Sequence, residues 1–196
     1  MEKKSGKHWV QWAEKNAPNS NSLSTLSPSF KPLAVAFINS LTNSGARVRI
    51  SATQRHPMRA YLFHWAWRIS QSESPQNCKP LDAKSMDGVD IQWDHGTLEE
   101  SINAAKEMVA GFGLATYPKS KVAPALLSNH IRGTAIDMTI SWNQKIKVKK
   151  KDGKEVELEI SSQFNPNTNK NLIEIGKSFG VIKHINDTPH WSINGR

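Results

Sequence analysis

The chain has 196 residues, 37% of them hydrophobic, and seven tryptophans; that is enough for a substantial core and excludes a globally disordered polymer. Its 26 Lys and Arg outnumber 17 Asp and Glu, for a formal charge of +9, so the surface favours polyanions: nucleic acid, anionic lipid or acidic envelope polymers. The single cysteine, Cys78, excludes an internal disulfide and a multi-cysteine metal site, which leaves His, Asp and Glu as the ligands open to a metal.

The first residues, Met1 to Val10, contain no apolar run of the signal-peptide type, and no uncharged stretch is long enough to span a bilayer. The expectation is synthesis in the cytoplasm, with any export by another route. Trp9, Trp12 and Ala13 stand at helical spacing within residues 8 to 17, and the polar run Asn16 to Ser27 reads as a linker. Residues 1–27 are therefore expected to form a helical arm and linker ahead of one domain over 28–196.

From Ser29 to Asn43, Phe30, Leu33, Ala34, Phe37, Ile38 and Leu41 follow a helical period up to Gly45, a C-terminal cap. Val48 to Ala52 alternates like a strand. Pro57 suits the first turn of the next helix, Met58 to Ile69, whose apolar character assigns Trp65 and Trp67 to packing. Arg55 falls at the junction of strand and helix. Residues 70 to 87 read as a long exposed loop and Gly88 to Gly96 as a short strand; Thr97 with Glu100 forms a capping box for a helix that ends at Gly111 and Gly113.

After a turn-rich stretch, Pro118 to Pro124, and the segment Leu126 to Asn129, Met138 to Trp142 is strand-like. Ile146 to Lys149 pairs naturally with Val156 to Ile160 across an Asp152-Gly153 turn, which makes the basic run Lys145 to Lys154 the solvent face of a hairpin rather than a nucleic-acid patch. Asn165-Pro166-Asn167 breaks the chain before a last helix, Leu172 to Phe179. Val181 to Lys183 and Trp191 to Ile193 are short strand candidates.

Chemistry concentrates in two stretches, Ser128 to Asp137 and Asp187 to Trp191. A bend at Gly133 lets His130 and Asp137 face one side, and His190 on a neighbouring strand supplies a third metal ligand. Such a set leaves the fourth position of a tetrahedral zinc open, the mark of a catalytic rather than structural site. Asp187, three residues before His190, is placed to act as the base, and Arg55 to stabilise an oxyanion. Asp94-His95-Gly96 reads first as the start of a helix and secondarily as a cleft lining; His56 and His64 read as structural. Cys78 has no His or Asp nearby in sequence to make it a nucleophile.

The pattern Ser128-x-His130-x-x-Gly133-x-Ala135-x-Asp137, followed by Asp187-x-x-His190-Trp191, resembles the signature of the zinc D-Ala-D-Ala carboxypeptidase and L-alanyl-D-glutamate endopeptidase family, which includes phage endolysins and shares its fold with the Hedgehog signalling domain. The resemblance covers roughly Phe30 to Ile193. It implies an α+β fold of the Hedgehog/DD-peptidase type, with a small central antiparallel sheet flanked by helices in a single catalytic domain. It implies one Zn2+ on His130, Asp137 and His190, Asp187 as catalytic base, and a bacterial peptidoglycan peptide stem as substrate, with Ser128, Gln54, His95 and Trp191 as candidate substrate contacts.

The family commonly has Ser-Gly-Tyr-Arg upstream, whereas Ser51-Ala52-Thr53-Gln54-Arg55 is one residue longer. The expected activity is zinc-dependent endopeptidase cleavage of a stem or crosslink amide by a monomeric endolysin or delivered effector, with anionic wall polymers as further partners and release through a holin-type lesion or a secretion machine. A D-Ala-D-Ala carboxypeptidase or dipeptidase is the alternative within enzymes. A non-enzymatic wall-binding module is the alternative outside them, and a nucleic-acid binder finds no recognition helix or aromatic stripe.

Overall fold

The alternation of Val48 to Ala52 becomes β1, Arg47–Ala52, in a computed structural model that describes residues 2–79, 89–160 and 167–196. The fold class is α+β, with five helices and a small antiparallel sheet among the described residues. The chain divides into two compact units: residues 1–19 with 55–128, and residues 20–54 with 129–196.

The first unit is helical. Its helices are α1 (Lys7–Asn16), α3 (Pro57–Ser70) and α4 (Leu98–Phe112). Trp9, Ala13, Leu62, Trp65, Ala66, Ile69, Ala105 and Met108 form one buried cluster, so the apolar stripes read from the sequence meet one another. Pro57 opens α3, and the His56 ring accepts the Met58 amide as its N-cap. His64 hydrogen-bonds the Pro124 carbonyl at 2.8 Å, and the Trp67 indole donates to the Ala115 carbonyl. Burial holds both His56 and His64 below the ordinary imidazole pKa, which suits these structural roles.

Two expectations change in this unit. Thr97 does cap α4 through the Glu100 amide, but Gly111 lies inside the helix, and only Gly113 ends it, in a left-handed conformation. A Cβ at Gly111 would meet the Val10 side chain at 2.8 Å, so this glycine serves close approach of α1 and α4. Among the described residues the strand expected over 88–96 is reduced to one parallel bridge, Gln92 with Lys4, where the Gln92 amide donates to the Lys3 carbonyl and its carbonyl accepts from the Ser5 amide. Gly88, much of the expected loop 70–87 and the Asn165-Pro166 break lie outside the described residues.

The second unit holds the sheet, in the order β1-β2-β6-β5, from β1, β2 (Ala135–Ser141), β6 (His190–Ser192) and β5 (Ile182–Lys183). The predicted hairpin forms as β3 (Ile146–Lys149) and β4 (Glu155–Leu158), with Lys145 paired to Glu157 and Glu159. Phe30, the N-cap of α2 (Lys31–Asn43), and Ala34, Phe37 and Leu41 within it are fully buried, together with Ile136, Leu158, Trp191, and Leu172 and Ile175 of α5 (Lys170–Ser178). Each buried Leu, Ile or Phe of this set contributes about 1.5–3 kcal/mol. Trp191 lies 5.2 Å from Phe37, ring centre to ring centre, and its far edge presses on Gly176.

Of the polar run Asn16 to Ser27 expected to be a linker, residues 20–27 belong to this unit. Ser20 exchanges backbone hydrogen bonds with Thr53 and Gln54, at 2.7 and 3.0 Å, and the Ser27 amide donates to the Gly133 carbonyl at 2.8 Å.

Gly176→Ala would place a Cβ 2.5 Å from the Trp191 ring and 2.8 Å from the Val181 carbonyl. Overpacking of this kind costs about 1–3 kcal/mol, and urea unfolding should show a loss of that size. In the first unit, burial pushes the Cys78 thiol up to about 12, with Glu73 adding to the shift and Arg68 opposing it. Native chain should therefore resist iodoacetamide at pH 8 and react once denatured, as followed by mass spectrometry.

Candidate metal centre

Asp137 and His190 are direct cross-strand partners on β2 and β6, so their side chains leave the sheet on one face, about 5 Å apart at Cβ. On the other side of β2, Asp137 faces Ala52 after a bulge at Ser51, whose hydroxyl donates to the Asp137 carbonyl at 3.2 Å. The residue opposite the carboxylate is thus the small Ala52, beside which a third side chain approaches.

The third group is His130. It stands in a turn closed by the Gly133 amide on the His130 carbonyl, at 3.2 Å, and by the Thr134 amide on the Asn129 carbonyl, at 2.8 Å. Gly133 has φ +66°, and a Cβ there would meet the backbone of Thr25 and Ser27 within 3.1 Å. The glycine in the motif is thus required twice, by its left-handed conformation and by the chain behind it.

Asp137 Oδ1, His130 Nε2 and His190 Nδ1 form a triangle with all three edges 3.1 Å. The side chains of His130, His190 and Asp137 are 8%, 9% and 20% exposed. The outer nitrogens decide what this triangle is. His130 Nδ1 donates to the Thr53 carbonyl at 2.6 Å, and His190 Nε2 to the Arg196 main-chain oxygen at 3.0 Å. A neutral imidazole has one N–H, so both inner nitrogens present lone pairs.

Two nitrogen lone pairs and a carboxylate oxygen converging at 3.1 Å repel one another unless positive charge joins them. Bonds of about 2.0–2.1 Å in tetrahedral array set ligand atoms about 3.3 Å apart, so the triangle fits a metal ion with adjustments of a few tenths of an ångström. His130, Asp137 and His190 are thus a buried group able to bind a metal ion.

The protonation behaviour points the same way. Burial raises the Asp137 pKa, but the two imidazoles outweigh it and hold the carboxyl well below its usual range. Burial lowers the His190 pKa, yet the Asp137 carboxylate and the Arg196 oxygen outweigh it and raise the net value. Both directions describe a pocket that draws positive charge.

The Arg196 oxygen is itself held by Asn129 Nδ2 at 2.5 Å and Ser192 Oγ at 3.0 Å, while the Thr53 side chain hydrogen-bonds Thr25 at 2.9 Å. These outer contacts fix ring orientation as well as tautomer.

Asp187 is exposed on the turn between β5 and β6, its amide donating to the His184 carbonyl and its own carbonyl accepting from the His190 amide, both at 3.2 Å. Gln54 is exposed, and its carbonyl anchors Ser20. Trp191 is 1% exposed and belongs to the core, where its packing steadies the strand that carries His190. Arg55, Ser128 and His95 belong to the first unit. The Arg55 guanidinium lies 5.5 Å from the centre of the Phe63 ring, and the His95 ring hydrogen-bonds Ser5 Oγ at 2.9 Å.

Sequence reasoning did not find Lys183, a buried lysine beside this turn, because a lysine in a two-residue strand reads as a solvent-facing residue. Burial lowers its pKa, against the pull of the Asp187 and Asp137 carboxylates.

Neither the protein-family models nor the curated proteins compared with this chain match it.

Metal binding requires both imidazoles neutral, so affinity is full above the His190 pKa and falls as pH drops through it. Because that pKa is raised, the decline should begin above the ordinary imidazole value of about 6.5. Competition with a chromogenic chelator across pH 5–9 measures it, and affinity constant down to pH 6 would contradict the arrangement.

Proposed function

We propose that the chain is a zinc-dependent peptidase acting on the peptide stems of bacterial peptidoglycan, with a fold of the Hedgehog/DD-peptidase type. The observation that carries this reading is the convergence of His130 Nε2, Asp137 Oδ1 and His190 Nδ1 at 3.1 Å, with Asp187 three residues ahead of the last ligand. The resemblance of both motifs to those of the zinc D-Ala-D-Ala carboxypeptidase and L-alanyl-D-glutamate endopeptidase family supports it, and the +9 charge suits an anionic wall.

Two imidazoles and a carboxylate, with no thiolate, form the donor set of catalytic zinc sites. When bound there, zinc supplies a Lewis acid that polarises the scissile carbonyl and lowers the pKa of water. The chain's own residues do the rest. Asp187 Oδ takes a proton from the attacking water and returns it to the nitrogen of the leaving amine, so one carboxylate serves as base and then acid. Asp137, held ionised at the centre of the sheet, keeps negative charge beside the two neutral imidazoles. Main-chain oxygens of Thr53 and Arg196 hold both rings with their lone pairs inward.

Among the described residues no helix is long and apolar enough to cross a membrane.

Incubated with purified sacculi, the chain should release muropeptide fragments, lose this activity on chelation and regain it with zinc. Asp187→Ala should lower the rate about 10²–10⁴-fold while retaining one zinc per chain. Mass spectrometry of the products separates an endopeptidase, which severs stems or crosslinks, from a carboxypeptidase, which releases D-alanine alone. Undiminished hydrolysis by Asp187→Ala or His130→Ala would end this reading.

A further inference from the structure

The turn that carries Asp187 and His190 is built around a buried ammonium. Lys183 is 4% exposed, and its Nζ donates to three main-chain carbonyls, those of His184 at 2.6 Å, Asp187 at 2.5 Å and His190 at 3.2 Å. It also lies 5.6 Å from the centre of the Trp191 ring. Each of these carbonyls accepts a second hydrogen bond, from the amides of Asp187, His190 and His184 in turn, at 3.2, 3.2 and 3.0 Å. The result is a closed cycle of three amides and three carbonyls, with every carbonyl pointing its remaining lone pair at Nζ.

An ammonium has three N–H donors and a neutral amine only two, so three carbonyls match the charged form. Three carbonyl dipoles aimed at one buried point repel one another unless a cation stands there, and each one left unsatisfied costs about 1–3 kcal/mol. Nothing in this arrangement involves a metal ligand's side chain. It fixes instead the backbone from which two functional side chains depart.

We infer that Lys183 is a positioning residue for the centre, its ammonium acting as the template on which the turn 184–190 closes and thereby setting where His190 and Asp187 project. The inference goes beyond the peptidase reading, and rests on it only where metal affinity is the measurement. Lys183→Met keeps the length and apolar stem and removes the donors. The turn should then loosen, with faster hydrogen exchange across 184–190, and zinc affinity should fall about 10–100-fold, the range found when groups that orient metal ligands are lost.

Restoration of the ammonium separates positioning from general destabilisation. Lys183→Cys in a Cys78→Ser background, alkylated with bromoethylamine under denaturing conditions and refolded, rebuilds an ammonium at the same reach, with sulfur in place of one methylene. This chain should recover slow exchange and zinc affinity, whereas the same chain capped with iodoacetamide should not. If Lys183→Met fails to fold, the alkylated pair carries the test alone.

Native-like exchange and affinity in Lys183→Met, or equal behaviour of the two alkylated chains, would overturn the inference. Should the wild-type chain take up no zinc, the metal reading fails, and exchange across 184–190 still decides the role of Lys183.

Discussion

Three electron-pair donors pointed at one another set the central constraint of the second unit. Asp137, His130 and His190 approach to 3.1 Å with no hydrogen among them when both rings are neutral. Such a cluster is costly when empty of positive charge, and the surrounding fold is arranged to hold it. The two inner strands of the sheet, β2 and β6, carry two of the three groups. Gly133 brings the third against the backbone of residues 25–27, and Trp191 locks β6 between α2 and α5 through Phe37 and Gly176.

The turn that follows β5 obeys the opposite electrostatic rule. There three acceptors converge on a cation that the chain itself provides, Lys183. His190 belongs to both arrangements, with its carbonyl in the ammonium cage and its ring in the acceptor triangle. The two clusters are thus coupled through one residue, and a shift of the backbone at position 190 changes both.

The three candidate ligands were legible in the sequence because they are side chains of distinctive chemistry at spacings that a bend and a strand pairing can satisfy. His130 and Asp137 flank the glycine that makes the bend, and His190 sits in a segment short enough to be a neighbouring strand. Apolar periodicity located α2, α3 and the β3–β4 hairpin for the same reason: side-chain pattern reports burial directly. What stayed hidden depends on main-chain groups. The bulge at Ser51, the Thr53 carbonyl on His130 and the cage around Lys183 have no side-chain signature. Gly111 misled because a glycine near a helix end signals a cap or a close approach equally well, and only the position of Val10 distinguishes them.

The proton placement on both histidines is enforced by main-chain oxygens, at Thr53 and Arg196, where many metal sites employ carboxylate side chains. A side chain can be exchanged by one codon change; the internal carbonyl of Thr53 cannot. Substitution at position 53 can move its oxygen only by bending the backbone, and the hydrogen bonds between Ser20 and Thr53 and Gln54 resist that. The His130 tautomer is therefore buffered against side-chain substitution at position 53, and the group is vulnerable to substitution at His130, Asp137 and His190 themselves and at Gly133 and Lys183, which shape the chain around them.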